Sequence, residues 1–287
     1  LSILRAGGMK LVGEKPPTWK SKILVKIEKI VTEGSLNIEV DEKTTIIKML
    51  TSIPEIGESK ALQLYESGIK KIEDLTPDLI NRKQQIGLRH YQDLAEKIPR
   101  KEMDQWLKLL RKLVNKIGGV LTLELAGSYR RGQSVSGDID CYISVESMSD
   151  NLMEKIESSL IDGGYMDKQD VFSRGPKKLM GVARLDNDKK SRHLDIFIYT
   201  KREYPFAILY ATGSAQFNVN MRNYALRNGF SLSDKALRYD SNDGDEVEVE
   251  LIRELLGKEY IETEEDVFLI LGVNYVEPCD RTSNIKF

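Results

Sequence analysis

Asp138 and Asp140 stand two apart in the stretch GSYRRGQSVSGDID, residues 127–140. In a strand, positions i and i+2 point to one face, so the two carboxylates lie a few ångströms from each other. Two ionised carboxylates about 4 Å apart repel by roughly 4 kcal/mol at an effective dielectric of about 20. Such a pair is either a solvated feature of an exposed face, or is held by a cation or a retained proton. The flanking residues bear on that choice. Gly127-Ser128 closes a strand-like run, and nine residues separate Ser128 from Asp138. A Gly-Ser turn offers backbone N–H groups and a hydroxyl to an anion. Arg131 adds a planar fork suited to two-point contact with phosphate. Gly137, directly before Asp138, lets a ligand approach the backbone closely. Oxygen-only ligands suit Mg²⁺ or Mn²⁺. Phosphate grips beside metal-binding acids are the parts of phosphoryl transfer from a nucleoside triphosphate. A two-metal scheme wants a further carboxylate. Asp195 in RHLDIFIY, on the strand face opposite Leu194, Ile196 and Ile198, is the best downstream candidate.

These groups need elements to carry them. LTLELAGS and DIDCYIS alternate as strands, the second with Ile139, Cys141 and Ile143 on one side and Asp138, Asp140 and Tyr142 on the other. LMGVARLD, RHLDIFIYT and EVEVELI are expected as further strands. Helical spacing predicts a helix over 20–34, with Ile23, Ile27 and Ile30 on one face and Gly34 as its stop. Two helices broken by SIPEIGES are expected over 44–66, then a turn, a short helix and a stop at Pro99 over 84–100. Residues 101–117, 151–163 and 203–229 are expected to be helical, and the end of the chain short and irregular. The pairs Ile56-Gly57 and Ile86-Gly87 suggest two related helical hairpins.

Composition narrows the class. With 40% apolar and 31% charged residues, the 287-residue chain is an ordinary globular sequence, long enough for one large domain or two to three ordinary ones. No apolar run approaches a membrane span, and LSILRAGGMK has no apolar core of a secretory leader, so an intracellular protein is expected. Two cysteines, Cys141 and Cys279, and two histidines exclude a Cys/His zinc module and fit a reducing compartment. The net charge of −2 divides into +6 over residues 1–120 and −8 over 121–287. The first half is therefore either the side that faces a polyanion, or simply unevenly charged surface.

The pattern Gly-Ser, spacer, Asp-x-Asp resembles the nucleotidyltransferase superfamily, which includes poly(A) and CCA-adding enzymes. Three further stretches are similar to the family X DNA polymerases. They are QQIGLRHYQDLAEKIPRKEM at 84–103, LYATGSAQFNVNMRNYALRNGF at 209–230 and IETEEDVFLILGVNYVEPCDR at 261–281. The resemblance runs from about residue 18 to 281. It implies an α+β fold of several subdomains, with a helical helix-hairpin-helix N-terminal region and a nucleotidyltransferase palm built on a mixed β-sheet. The implied divisions are 1–40 (partial lyase-like helices), 41–98 (helix-hairpin-helix, DNA-binding), 99–201 (catalytic palm) and 202–287 (nucleotide selection). The implied activity is template-directed gap filling in DNA repair by a monomer on gapped or primed DNA, with dNTP as substrate and pyrophosphate released.

Residue by residue, the resemblance places the catalytic metals on Asp138, Asp140 and Asp195. It places the triphosphate on Ser128, Arg131 and Gly137, with Lys97 either a basic contact to it or a solvated lysine. Tyr210 and Gly213 fall on the sugar-facing turn, Asn218 on the incoming nucleotide and Arg222 on the template strand. A turn from Ile53 to Gly57 would meet a DNA phosphate through backbone N–H groups, giving affinity that falls steeply with salt. The carbonyls of Thr51, Ile53 and Ile56 would seat Na⁺ or K⁺ there. With Gly34 as anchor, Lys26 falls on a Schiff-base lysine of 5′-deoxyribose phosphate removal and Lys22 on a phosphate contact, or both are solvated helix lysines.

Four departures qualify the match. Ala211 stands where relatives carry a bulky aromatic, which opens the possibility of ribonucleotide use or template-independent addition. Glu55 replaces a frequent Gly in the hairpin turn. His193 and Phe197 each replace an Arg beside Asp195. A histidine orients that carboxylate only while it donates a hydrogen bond, so activity is expected to be weaker or more acid-sensitive than in Arg-bearing relatives. The pH–rate profile of His193→Arg checks this: an unchanged profile contradicts it.

Overall fold

The computed structural model describes residues 41–149, 151–186, 189–241, 244–282, 285 and 287. The helix expected over 20–34, with Lys22 and Lys26, lies outside them. The described residues divide into two units, one of 41–50 with 58–74 and one of 51–57 with those from 75 onward.

In the first unit lie the two expected helices, α1 (Glu42–Thr51) and α2 (Glu58–Glu66). The Asp41 carboxylate accepts from the Thr44 amide at 2.5 Å and so caps α1. Ile46, Leu50, Ala61 and Leu64 are buried.

The second unit opens with the turn at 51–57, closed by the Ile56 amide donating to the Ile53 carbonyl at 3.1 Å. Glu55 sits in the left-handed region at φ 68°, a conformation that costs a non-glycine residue about 1 kcal/mol. Its carbonyl accepts from Gln84 Nε2 at 3.0 Å, which holds the turn in place of the missing glycine. Gln84 belongs to α3 (Arg82–Ala95), whose start is fixed by a reciprocal cap between Asn81 and Gln84. The helix is thus longer than the short one expected, and Ile86-Gly87 lies inside it rather than at a second hairpin turn. Gly87 serves close packing instead: a Cβ there would lie 2.3 Å from the Pro54 carbonyl oxygen.

After β1 (Ile98–Pro99) the long helix α4 (Arg100–Ile117) leads into β2 (Thr122–Leu125), a single turn α5 (Gly127–Arg130), β3 (Val135–Ser136) and β4 (Ile139–Val145). Then come α6 (Leu152–Asp162), β5 (Met166–Gly175), β6 (Lys178–Ala183) and β7 (Arg192–Thr200). The sheet runs β2-β4-β7-β6-β5, and only β4 and β7 pair in parallel. It is the mixed sheet expected. Ile139, Cys141 and Ile143 of β4 and Leu194, Ile196 and Ile198 of β7 are buried in one cluster with Met103, Trp106 and Leu110 of α4 and Ile156 and Leu160 of α6. Each such side chain contributes roughly 1.5–3 kcal/mol by leaving water. That apolar anchor sets the register, and so turns Asp140 of β4 and Asp195 of β7 to the opposite face.

The opposite face is covered in part by α7 (Tyr204–Thr212), where Ala207 and Ile208 pack with Ala126 and Tyr142. Tyr142, on the strand face of the acids as expected, is therefore buried at 7% exposure. The helix expected over 203–229 is two: the chain breaks at Gly213 (φ 67°), joined by a cis peptide to Ser214, which caps α8 (Ala215–Arg227). EVEVELI is not a strand. Beyond an isolated bridge from Glu246 to Arg238, it becomes α9 (Val249–Leu256), because Ile252 and Leu256, at helical spacing, pack on the Phe217–Phe268 cluster. Before it, β8 (Phe230–Leu232) and β9 (Leu237–Tyr239) form a hairpin. The end of the chain is not wholly irregular either, since Thr263 and Asp266 cap α10 (Glu264–Ile270) reciprocally. Cys141 is buried and Cys279 exposed, both as free thiols. Among the described residues no helix is long and apolar enough to cross a membrane.

Candidate active site

The parallel register of β4 and β7 sets Asp140 opposite Asp195, with Asp138 just before β4. The three acids are thus gathered toward one end of two central strands. Gly127, at φ 56°, lies against them: a Cβ there would be 3.0 Å from Asp140 Oδ2. Only glycine fits that position without displacing the carboxylate.

Burial raises the pKa of Asp140 to about 7, and the carboxylates of Asp138 and Asp195 add to the rise. His193 Nε2 is 2.9 Å from Asp195 Oδ1, close enough to pair but off the line of a good hydrogen bond. Both atoms are buried with no other hydrogen-bond partner. Burial works against a charged His193, but Asp195, Asp138 and Asp140 outweigh it and hold its pKa above the usual value. Among the described residues no three His, Cys, Asp or Glu side chains already close to metal-holding distance. The donors are nonetheless of the right kind for a hard divalent cation: oxygen atoms, mutually repelling, one of them buried without a hydrogen bond.

Ser128 lies in the single turn of α5, directly after Gly127, so its amide and hydroxyl belong to the helical turn beside Asp140 rather than to a β-turn. Arg131 closes that turn and donates from Nη1 to the Thr212 carbonyl at 2.5 Å. Its fork is thereby pinned to the break between α7 and α8. Gly213 accommodates it, because a Cβ there would lie 3.3 Å from Arg131 Nη1. Asn218 donates to the Tyr210 carbonyl at 2.7 Å, and the Arg222 guanidinium lies over the Tyr210 ring at 4.9 Å. Tyr210, Gly213, Asn218 and Arg222 thus meet around one break, which Arg131 joins to the α5 turn. Lys97 precedes β1, whose pairing with β3 brings its Nζ within 3.4 Å of where a Gly137 Cβ would stand. The turn bearing Thr51, Ile53, Ile56 and Gly57 is a separate feature packed on α3.

Sequence reading missed the residues that lock this arrangement. Arg130, next to Arg131, bonds Glu124 at 3.0 Å, Thr212 Oγ1 at 2.8 Å and Glu264 at 2.5 Å. Glu264 also takes Arg281 at 2.6 Å. Arg130 and Glu264 are 134 positions apart, and no local pattern links them. The sequence signal nearest to it is the Thr263–Asp266 cap, which marks the helix that Glu264 opens.

Comparison with known proteins agrees with this layout. Residues 97–201 match the DNA polymerase beta palm family, 207–282 the DNA polymerase beta thumb family, and 48–95 the fingers domain of DNA polymerase lambda. DNA polymerase lambda of Rattus norvegicus is 29% identical over 273 residues, covering 89% of this chain and 46% of that protein. DNA polymerase lambda of Arabidopsis thaliana is 27% identical over 274 residues, covering 89% and 50%. DNA nucleotidylexotransferase of Xenopus laevis is 23% identical over 299 residues, covering 90% and 57%. The chain spans about half the length of these curated relatives.

Proposed function

Because the chain belongs to the family X DNA polymerases, whose palm, thumb and fingers domains it carries, we propose that it fills short gaps in DNA by template-directed nucleotidyl transfer from dNTP. The observation that carries this reading is the meeting of Asp138, Asp140 and Asp195 at the end of β4 and β7, beside the α5 turn. Asp138 and Asp140 would hold the nucleotide-bound metal, and all three the metal at the primer 3′-OH. When bound, Mg²⁺ or Mn²⁺ supplies positive charge to the triphosphate and lowers the pKa of that hydroxyl. The chain's own part is orientation. Gly127 and Gly137 admit the triphosphate to the backbone, Ser128 and Arg131 bond its oxygens, and Lys97 adds charge beside Gly137. Arg131 would exchange the Thr212 carbonyl for phosphate. Asn218 and Arg222 would leave Tyr210 for the nucleotide and the template.

DNA contacts at the turn of residues 51–57, with Na⁺ or K⁺ on the carbonyls of Thr51, Ile53 and Ile56, belong to the same proposal. So do the divisions at 40, 98 and 201, a monomeric state and an intracellular site of action. Residual lyase activity through Lys26 would fall on residues outside those described.

A second reading has a specific support. Ala211 leaves the sugar-facing turn without a bulky side chain, and one relative is named DNA nucleotidylexotransferase. Ribonucleotide-tolerant or template-independent addition would follow. Extension of a primer at a one-nucleotide gap, with each dNTP and rNTP, separates the two. Gap filling from dNTP with pyrophosphate release is expected, and addition of either sugar at equal rates would favour the second reading.

A further inference from the structure

The irregular strand of the sheet is β5, at its edge, with β6 between it and the strand that carries Asp195. Its pairing with β6 slips in register between Met166 and Val171, and again between Val171 and Ser173. A bulge of this kind re-aims side chains. Here Asp170, Val171 and Phe172 are buried in succession, where a regular strand would alternate. Gly181 of β6 gives the bulge room: a Cβ there would lie 2.9 Å from the Asp170 carbonyl oxygen and 3.3 Å from Val171 Cα.

Helix α3 clamps the bulge from outside. Arg82 donates to the Val171 carbonyl at 3.0 Å. Arg89 and His90 hold the Asp170 carboxylate at 2.6 and 3.0 Å. Ile86 of α3, Phe172 and Val182 form one apolar cluster. What the clamped bulge presents to the site is the ring of Phe172. It stacks on His193, with centroids 5.2 Å apart and planes inclined by 28°.

His193 needs such support. Its Nε2 faces Asp195 Oδ1 at 2.9 Å and has no other hydrogen-bond partner. Rotation about the bond to an imidazole ring is soft, so one contact does not fix the ring plane. An aromatic face lying on the ring does.

We infer that Phe172 is a positioning residue for nucleotide addition: it fixes the plane of His193, and through it the Asp195 carboxylate, with α3 as its anchor. The inference rests on the proposed role of Asp195. Phe172 touches no reacting atom. A leucine would fill its space but would not set a plane.

Phe172→Leu tests this. Its kcat for one-nucleotide addition is expected to fall about tenfold, the lower end for groups that orient a metal ligand, with KM for the nucleotide unchanged. Phe172→Tyr is expected to restore kcat. In a His193→Ala background Phe172→Leu should cost nothing further, since the two act as one unit. The chain has two histidines, so the His193 ring can be followed by NMR in metal-free protein, assigned through His193→Gln. Its resonance is expected to move in Phe172→Leu and return in Phe172→Tyr, with no turnover needed. Wild-type kcat in Phe172→Leu, equal losses in both backgrounds, or an unmoved His193 resonance would overturn the inference. If Phe172→Leu does not fold, Arg82→Ala loosens the clamp at an exposed residue. It should lower kcat, less strongly, again without a change in KM, and an unchanged kcat there counts against the anchor. An Asp195→Ala protein as active as wild type would overturn the underlying role of Asp195 instead, and leaves the NMR outcome readable.

Discussion

Asp140→Asn is expected to lower nucleotide addition by at least about 10³-fold and, at the same time, to make the metal-free protein more stable. The first effect follows from the chemistry. Asn keeps the shape but supplies no charge for a divalent cation, and even a single neutral donor to a transition state is worth about 10²–10³ in rate. The second follows from the electrostatics of the metal-free site. Burial, with Asp138 and Asp195 adding to it, lifts the Asp140 pKa from 3.8 to about 7. Below about pH 4 the carboxyl is protonated both folded and unfolded, so it has no effect on stability. As pH rises from there, the unfolded chain gains from ionising while the folded chain does not. The penalty grows until about pH 7 and is constant above it. Asn carries no charge in either state and escapes the penalty, which is on the order of a few kcal/mol. Thermal melting with a chelator present, at pH 4 and pH 8, reads this directly. The variant should match wild type at pH 4 and melt higher at pH 8. A variant no more stable at pH 8 would mean that the carboxylates are not crowded as described.

The largest expected loss of stability lies elsewhere. Glu264→Ala is expected to cost about 3–5 kcal/mol, because it strips a buried ion network of its central carboxylate. Arg281 has no exposed side-chain surface and is bonded by Glu264 at 2.6 Å, and Arg130 meets the same carboxylate at 2.5 Å. Arg281 is further enclosed by the rings of Phe217, Phe268 and Tyr275, so water cannot replace the lost partner. Arg130 keeps Glu124 and suffers less. Glu264→Gln retains a hydrogen-bond acceptor and should cost less than Glu264→Ala. Activity should fall as well, since Arg130 holds the turn that carries Ser128 and Arg131. A loss of under about 1 kcal/mol in a urea titration would contradict the buried network, being the range of an exposed pair.

What could be read from the sequence was what is local or anchored by period. Asp138, Asp140 and Asp195 were legible because apolar neighbours on β4 and β7 fix which way they face. The spacing of Ser128, Arg131 and Gly137 from them was legible because the chain between is short. Lys97 came close to Gly137 through the pairing of β1 with β3, a contact that the resemblance implied and no local pattern shows. The missed features are those set by distant packing. EVEVELI alternates like a strand yet starts a helix, since Ile252 and Leu256 find an apolar cluster at helical spacing. Ile86-Gly87 looks like a turn, but Gly87 is there for contact with Pro54, more than thirty positions earlier. Phe172 carries no motif at all. Its role depends on a bulge, and a bulge leaves no periodic trace. The break at Gly213 was visible as a motif but was read as continuous helix, because the residues on both sides favour helix.

Whether these carboxylates serve templated synthesis is tested most directly by one substrate: a one-nucleotide gap whose template base is varied through all four, with all four dNTPs present. The added nucleotide is expected to change with the template base, pyrophosphate to be released in equal amount, and Asp195→Ala to add nothing. The same nucleotide added whatever the template base, or addition undiminished in Asp195→Ala, would contradict that role.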